Sequence, residues 1–197
     1  MHRPVLVTAS AELPVSVEDV KVALRIAEYD GNGAVLAGEL DAEIESQIKA
    51  ALAHYQGWNG ILGISIMAQQ WRQDFDAFAR CLYLPVGPVA ATGMSVTWRD
   101  ADGVEGTVNA ASYVLLIDGG GRAFVKFDRD FSFPDNLDEN AAVSVSYTAG
   151  FDEVPEDLKS AIKSRVQVMI DEAAQPNSTH LERVEDVLIS KYRRISI

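Results

Sequence analysis

The sequence has a single cysteine, Cys81, and three histidines, His2, His54 and His180, in 197 residues. A lone thiol cannot close an internal disulfide, and histidines this scattered offer no zinc spacing. No apolar run reaches membrane-spanning length, and Met1, His2, Arg3 and Pro4 lack the apolar core and cleavage site of a signal peptide. The expectation is a chain made and kept in the cytosol. Basic residues are also in short supply: 17 Lys and Arg stand against 29 Asp and Glu, a formal net charge of −12. Affinity for nucleic acid comes largely from Lys and Arg neutralising phosphates, so a protein whose main work is gripping DNA or RNA is disfavoured. An acidic surface suits a conduit through which DNA slides without sticking, although solubility alone accounts for such charge as readily. What the chain does have is 48% hydrophobic and 23% charged residues, the composition of a folded globular protein. Its length allows one ample core, or a helical part and a β part that share one.

The stretch Asp41 to Trp58 organises the rest. Ile44, Ile48, Ala51, Leu52, Tyr55 and Trp58 recur at three- and four-residue steps, one face of an amphipathic helix. Two other stretches carry matching faces. In the first, Ser16 can cap, Glu18 and Asp19 place acid in the first turn, and Val15 can staple onto Val20. Val17, Val20, Leu24 and Ala27 then face inward, and the helix is expected to end near Ala27 or Glu28. In the other, Pro155 opens a helix with Glu156 and Asp157 behind it and Leu158, Ala161, Ile162, Val166, Met169 and Ala173 on the inner face. Gln175 to Thr179 read as a linker, and Leu181, Val184, Val187 and Leu188 return to helical spacing before the end Lys191, Tyr192, Arg193, Arg194, Ile195, Ser196, Ile197. A basic, aromatic and apolar end on an acidic chain is either a frayed terminus or a docking peptide.

Between these helices the period changes from 3.6 to 2. Trp71, Gln73 and Phe75 alternate, Cys81 to Leu84 is closed by Pro85, and Met94 to Arg99 leads through Asp100 to Gly103 into Val104 to Val108. Tyr113 to Ile117 and Ala123 to Phe127 flank the glycines 119 to 121, and Val143, Val145 and Tyr147 alternate with serines in a last strand. The predicted fold is α+β: a bundle of about three to four helices with an inserted antiparallel β subdomain of six or seven short strands, in a compact sheet or small barrel. The parts divide as residues 1–66, helical, 67–149, β-rich, and 150–197, a C-terminal helix plus docking tail, in one structural unit.

No catalytic set can be assembled from nucleophile, base or metal ligands, no cofactor motif is present, and the chain is read as a non-enzyme. Cys81 lies in an apolar strand, where an inert core thiol is expected. His54 lies about 100° round the helix from its apolar stripe, a surface or boundary position. The triple glycine has no helix after it and no Lys-Ser pair, so it is a hairpin turn and not a phosphate loop. Asp128, Asp130, Asp135, Asp138 and Glu139 form an acidic loop, read as solvated charge. In the link Glu28 to Glu39, Asp30, Asn32 and Glu39 fall on calcium-ligand positions three, five and twelve of a helix-loop-helix loop, with Gly33 at six. Glu28 in place of the first Asp, and Leu36 at position nine, spoil the match and favour a plain glycine-rich turn.

The order of segments resembles the head-tail connector (adaptor) proteins of long-tailed phages and of phage-derived gene transfer agents. The resemblance rests on Leu13-Pro14-Val15-Ser16-Val17-Glu18-Asp19-Val20-Lys21 with Leu24 and Arg25; the helix around Asp41 to Tyr55; Gln69-Gln70-Trp71 with Phe75; and Leu84-Pro85-Val86-Gly87-Pro88-Val89 before Ser95-Val96-Thr97-Trp98. It continues through Val145 to Phe151 into Val154-Pro155-Glu156-Asp157-Leu158-Lys159, and ends on Leu188, Tyr192, Arg193 and Arg194. The pieces cover most of the chain; each is degenerate alone, and their order and spacing carry the specificity. The glycine-rich loop Asp30 to Gly38 departs from the shorter, aspartate-rich link of the family.

The resemblance implies a structural virion protein of the neck, made in the bacterial host cytoplasm, that forms a ring of about twelve copies on the portal protein. The ring would extend the DNA channel and present a platform to the downstream neck or stopper protein, with DNA passing through unbound and no membrane involved. It also implies that Leu188, Tyr192, Arg193 and Arg194 dock into the portal. The alternative from the residues alone is a monomeric cation- or ligand-binding domain using the Asp30 to Glu39 loop. A small hydrolase is a third class, for which no residues can be named.

Overall fold

The computed structural model describes residues 2–170 and 178–193. Among these lie eight strands and four helices, an α+β fold. They group into two compact units, one from the N-terminal residues up to Ser10 with Gly63–Asp152, the other from Ala11–Leu62 with the described residues from Glu153 onward.

The β unit contains β1 (Val5–Thr8), β2 (Gln69–Phe75), β3 (Cys81–Leu84), β4 (Ser95–Arg99), β5 (Glu105–Thr107), β6 (Tyr113–Ile117), β7 (Ala123–Phe127) and β8 (Val143–Ala149). Instead of one sheet or a barrel they form two, ordered β1-β2-β8-β4-β5 and β3-β7-β6, with every strand pair antiparallel. Strand β8 is central to the larger sheet. Its Val143, Val145 and Tyr147 stand opposite Phe75, Gln73 and Trp71 of β2, while Val145 also faces Val96 of β4. Strict alternation sends those side chains inward and Ser144, Ser146 and Thr148 outward. The core joins them to Leu82, Leu84, Val125 and Phe127 of the smaller sheet, with Phe78, Phe131 and Phe133 packed alongside. Phe127 and Phe131 stack with centroids 5.3 Å apart, and Phe78 meets Phe127 edge-on at 5.5 Å.

Val5 to Thr8 pair as a strand that local periodicity does not announce. Its pairing partner, β2, lies some sixty residues away in sequence, and four residues carry too little periodicity to register alone. The buried Gln73 amide fixes the join by donating to the His2 carbonyl at 2.7 Å. Cys81 is half-buried opposite Lys126 rather than in the core, because position 81 falls on the outward side of β3.

The helical unit contains α1 (Val17–Leu24), α2 (Asp41–Tyr55), α3 (Glu156–Ile170) and α4 (Ser178–Ile189). Ser16 caps α1 by accepting from the Asp19 N–H at 3.0 Å, and Asp19 returns the bond to the Ser16 N–H at 3.4 Å. The helix stops at Leu24, earlier than expected, because Arg25 adopts a left-handed conformation at φ 60°. In α2, Ile44, Ile48, Ala51, Leu52 and Tyr55 are buried as the periodicity predicts, but Trp58 lies beyond the helix end and is 44% exposed. Leu158, Ala161, Ile162 and Val166 form the buried face of α3, from which Met169 is excluded at 39% exposure; Ala173 lies outside the described residues.

Gly150 is the tightest backbone approach in the β unit. At φ +138° an added Cβ would sit 2.1 Å from the Met67 carbonyl oxygen. Gly150→Ala is expected to cost about 2–3 kcal/mol, read as a lower urea midpoint at unchanged slope.

Candidate functional site

The C-terminal end of the helical unit, where the family resemblance implies docking residues, is built on α4. The buried side chains of α4 are Glu185 and Ile189, with Leu181 and Leu188 half-buried at compatible spacing. Val184 and Val187, expected on that face, are 38% and 74% exposed. The stripe that packs is therefore 181, 185, 188 and 189, with a glutamate at its centre. Sequence reasoning passed over it because a charged residue interrupts the apolar pattern.

Glu185 is tolerated because it is paired. Its Oε1 accepts from the Arg165 guanidinium of α3 at 3.1 Å, and the Glu185 and Arg165 side chains are 8% and 27% exposed. Tyr55 of α2 closes the group, donating to the Ala161 carbonyl across a long 3.4 Å contact. Burial, then the hydrogen bond to and negative charge of Glu185, push the Tyr55 phenol well above its ordinary range, so it stays a neutral donor. His54, next to it, meets the Tyr55 ring edge-on with centroids 5.3 Å apart. These residues tie α2, α3 and α4 together through polar contacts that have one geometry, where apolar contacts alone have many.

Beyond α4 the chain makes a 3₁₀ turn, Ser190–Tyr192. Here the structure brings together three of the four predicted docking residues: Leu188 on the last turn of α4, Tyr192 half-buried, and Arg193 exposed. Arg194 lies outside the described residues. The basic groups are engaged within the unit. Lys191 pairs with Asp157 of α3 and lies 5.1 Å from the Tyr192 ring centroid, and Arg193 donates to Asp186 at 2.5 Å. Both pairs are exposed, the class worth no more than about 1 kcal/mol each, so a stronger acceptor can exchange with them.

The Glu28 to Glu39 loop is held by its own contacts. Asp30 Oδ1 accepts from the Asn32 and Ala34 N–H groups, both at 2.8 Å, and Gly33 supplies the left-handed residue at φ 83°. Those N–H groups, Ala34 first, hold the Asp30 carboxyl below the usual range. The buried Lys21 ammonium donates to the Leu36 carbonyl at 2.8 Å and pairs with Asp41, so a lysine side chain supplies the positive charge that fastens this loop to α2. Among the described residues no group of three or more His, Cys, Asp or Glu is placed to share a metal ion. In the acidic loop of the β unit, Asp138 pairs with Arg99 at 2.8 Å.

Three solved structures similar to this chain come from gene transfer agent particles. A chain in the neck of an empty gene transfer agent particle, computed with C6 symmetry, superposes with a TM-score of 0.75 at 24% identity, covering 100% of this chain and 97% of that one. The chain shares the fold of gene transfer agent neck proteins. A chain of the native gene transfer agent virion gives a TM-score of 0.69 at 23% identity, covering 98% and 96%, and one from the native neck computed with C12 symmetry gives 0.65 at 21%, covering 98% and 97%. The neck fold thus spans both units end to end. No protein-family model matches the sequence, and no curated protein matches it.

Glu185→Ala leaves Arg165 with its principal partner gone inside a packed seam; the expected loss is about 3 kcal/mol, the lower end for a buried pair, because Arg165 is part-exposed. Urea unfolding reads it directly. His54 supplies a pH dependence: burial, then the positive charge of Arg165, hold its imidazole below the ordinary value, with Glu185 opposing. The folded chain therefore disfavours the protonated ring, and the unfolded chain takes up more protons as the pH falls through about 6.5. Stability is full above that pH and declines below it until the folded imidazole itself titrates. Melting temperatures between about pH 7.5 and about pH 5.5 should fall less in His54→Gln than in the natural chain.

Proposed function

We propose that this chain is a structural subunit of the neck of a phage-like particle, a head-tail adaptor that assembles as a ring on the portal, extends the DNA channel and joins capsid to tail. The observation that carries the reading is the end-to-end superposition on a neck chain, 100% of this chain and 97% of that one at a TM-score of 0.75. The match runs over both compact units of this chain and not over one alone. The acidic balance of −12 supports it: a wall of like charge lets the DNA backbone pass without adhering. Necks of the similar particles were computed with C6 and C12 symmetry, which supports a ring of many copies as the form in which such a fold works.

In this proposal the portal and the downstream stopper protein are the partners, and Leu188, Tyr192, Arg193 and Arg194 are the docking residues. Lys191 and Arg193 rest on exposed aspartates and are released at small cost, while Leu188 and Tyr192 offer apolar surface beside them. A short segment of this kind gains its affinity through repetition around a ring, not through any single contact. The Asp30 to Glu39 loop has no part in it: Asp30 Oδ1 accepts from its own loop, and Lys21 already fills the cationic role.

The double variant Tyr192→Ala/Arg193→Ala should keep the circular dichroism and melting temperature of the natural chain while losing co-sedimentation with the portal protein encoded in the same genomic cluster. Undiminished binding by that variant would remove the tail from the interface. Failure of the natural chain to bind the portal at all would remove the adaptor role.

A further inference from the structure

The β unit exposes apolar side chains where an antiparallel sheet with one solvated face ordinarily carries polar ones. In β3-β7-β6 the inward face is buried on β7 and at Leu82 and Leu84 of β3, while on β6 Tyr113 and Leu115 are half-buried and Ile117 is 58% exposed. On the outward face the register sets Tyr83, Phe124 and Leu116 in one row and Cys81, Lys126 and Val114 in the next, so five of six positions are apolar. Tyr83, Val114 and Leu116 are 51%, 47% and 36% exposed, and the Tyr83 and Phe124 rings lie 5.4 Å apart. Strand β6 is an edge. Its sequence Tyr113–Ile117 has no charge, no proline and no bulge, the devices that keep open edges from pairing.

The same unit has a second apolar edge. Strand β1 closes one side of the larger sheet, and its Val5, Leu6 and Val7 are 43%, 42% and 55% exposed. It also carries no charged residue, and its four residues approach the five of β6 in length. The register break between Leu6 and Thr8 limits how long a hydrogen-bonded ladder it can extend, so apolar contact must supply most of any association there. Among the described residues no other edge strand exposes three aliphatic side chains: β3 exposes Tyr83, and β5 exposes Glu105 and Thr107.

We propose that the β6 edge and the apolar face behind it pack against the β1 edge of a second copy of this chain. The occupant is a second copy because chains of the same fold sit in necks computed with C6 and C12 symmetry, in which copies of one chain repeat around an axis. Two molecules of net charge −12 repel wherever their acidic surfaces meet, and these two edges are exposed, apolar and free of charge. Because the two edges are different surfaces of one compact unit, the contact is head-to-tail. Each copy then keeps one edge open for the next, which generates a ring where the rotation closes. The proposal rests on the neck reading for its biological setting and on the two edges for its geometry.

Sedimentation of the natural chain at rising concentration, without portal, is compared with Val114→Lys/Leu116→Lys. Both positions are exposed, so the melting temperature should hold while self-association weakens by at least about tenfold, the effect of some 1.4 kcal/mol at a packed contact. A second measurement does not depend on that variant folding. In a Cys81→Ser background, Val7→Cys/Leu116→Cys treated with a short bismaleimide should give a ladder of dimers, trimers and higher species, and either cysteine alone should give none. A natural chain that stays monomeric throughout overturns the proposal, as does a paired-cysteine variant that yields no ladder, a lysine variant that associates normally or a single-cysteine variant that cross-links as well as the pair. Portal capture is read separately: capture without a ladder removes this interface and leaves the adaptor role, whereas a ladder without capture does the reverse.

Discussion

Strand β8 has to satisfy three demands at once, and the β unit is arranged around them. It pairs on both sides, with β2 and with β4, and it buries Val143, Val145, Tyr147 and Ala149 on one face. A slip of one residue against either neighbour would turn that entire set to the other face, so the register is held by burial and not by hydrogen bonds, which any register can form. Once β8 is fixed, Trp71, Phe75 and Val96 are fixed opposite it, and the smaller sheet and the phenylalanine cluster pack on a surface already defined. Gly150, at the end of β8, is then forced against the backbone at Met67, which leaves no room for a side chain.

The helical unit solves a different problem. Its stripes on α2 and α3 are apolar and would bury well in several orientations. The cluster of Tyr55, Arg165 and Glu185 removes that freedom for α4, because a carboxylate at the centre of a packed stripe is acceptable only where its partner waits. The tail that follows inherits a defined starting point from this anchor, and its own basic groups are held by exposed pairs that exchange easily.

Charge runs through both units as the common constraint. With 29 acidic residues against 17 basic ones, the surface discourages DNA from adhering and copies of the chain from meeting at random. The places that escape this average are a basic and aromatic end and two strand edges that carry no charged residue.

Much of this was legible in the residues. The capping box of α1, the face of α2, the hairpins at Gly103 and Gly121 and the alternation of β8 all follow from short-range periodicity and turn chemistry, which depend on near neighbours alone. The order of segments also carried the likeness to neck proteins that the fold bears. Tertiary structure decided the rest. It recruited Val5–Thr8 to β2, divided the strands between two sheets, exposed Trp58, Met169 and Val187, and buried Glu185. The reason is the same in each case: pairing a strand with a distant partner, or burying a charge against one, is a bargain between residues far apart in sequence, and periodicity within a single segment contains no information about it.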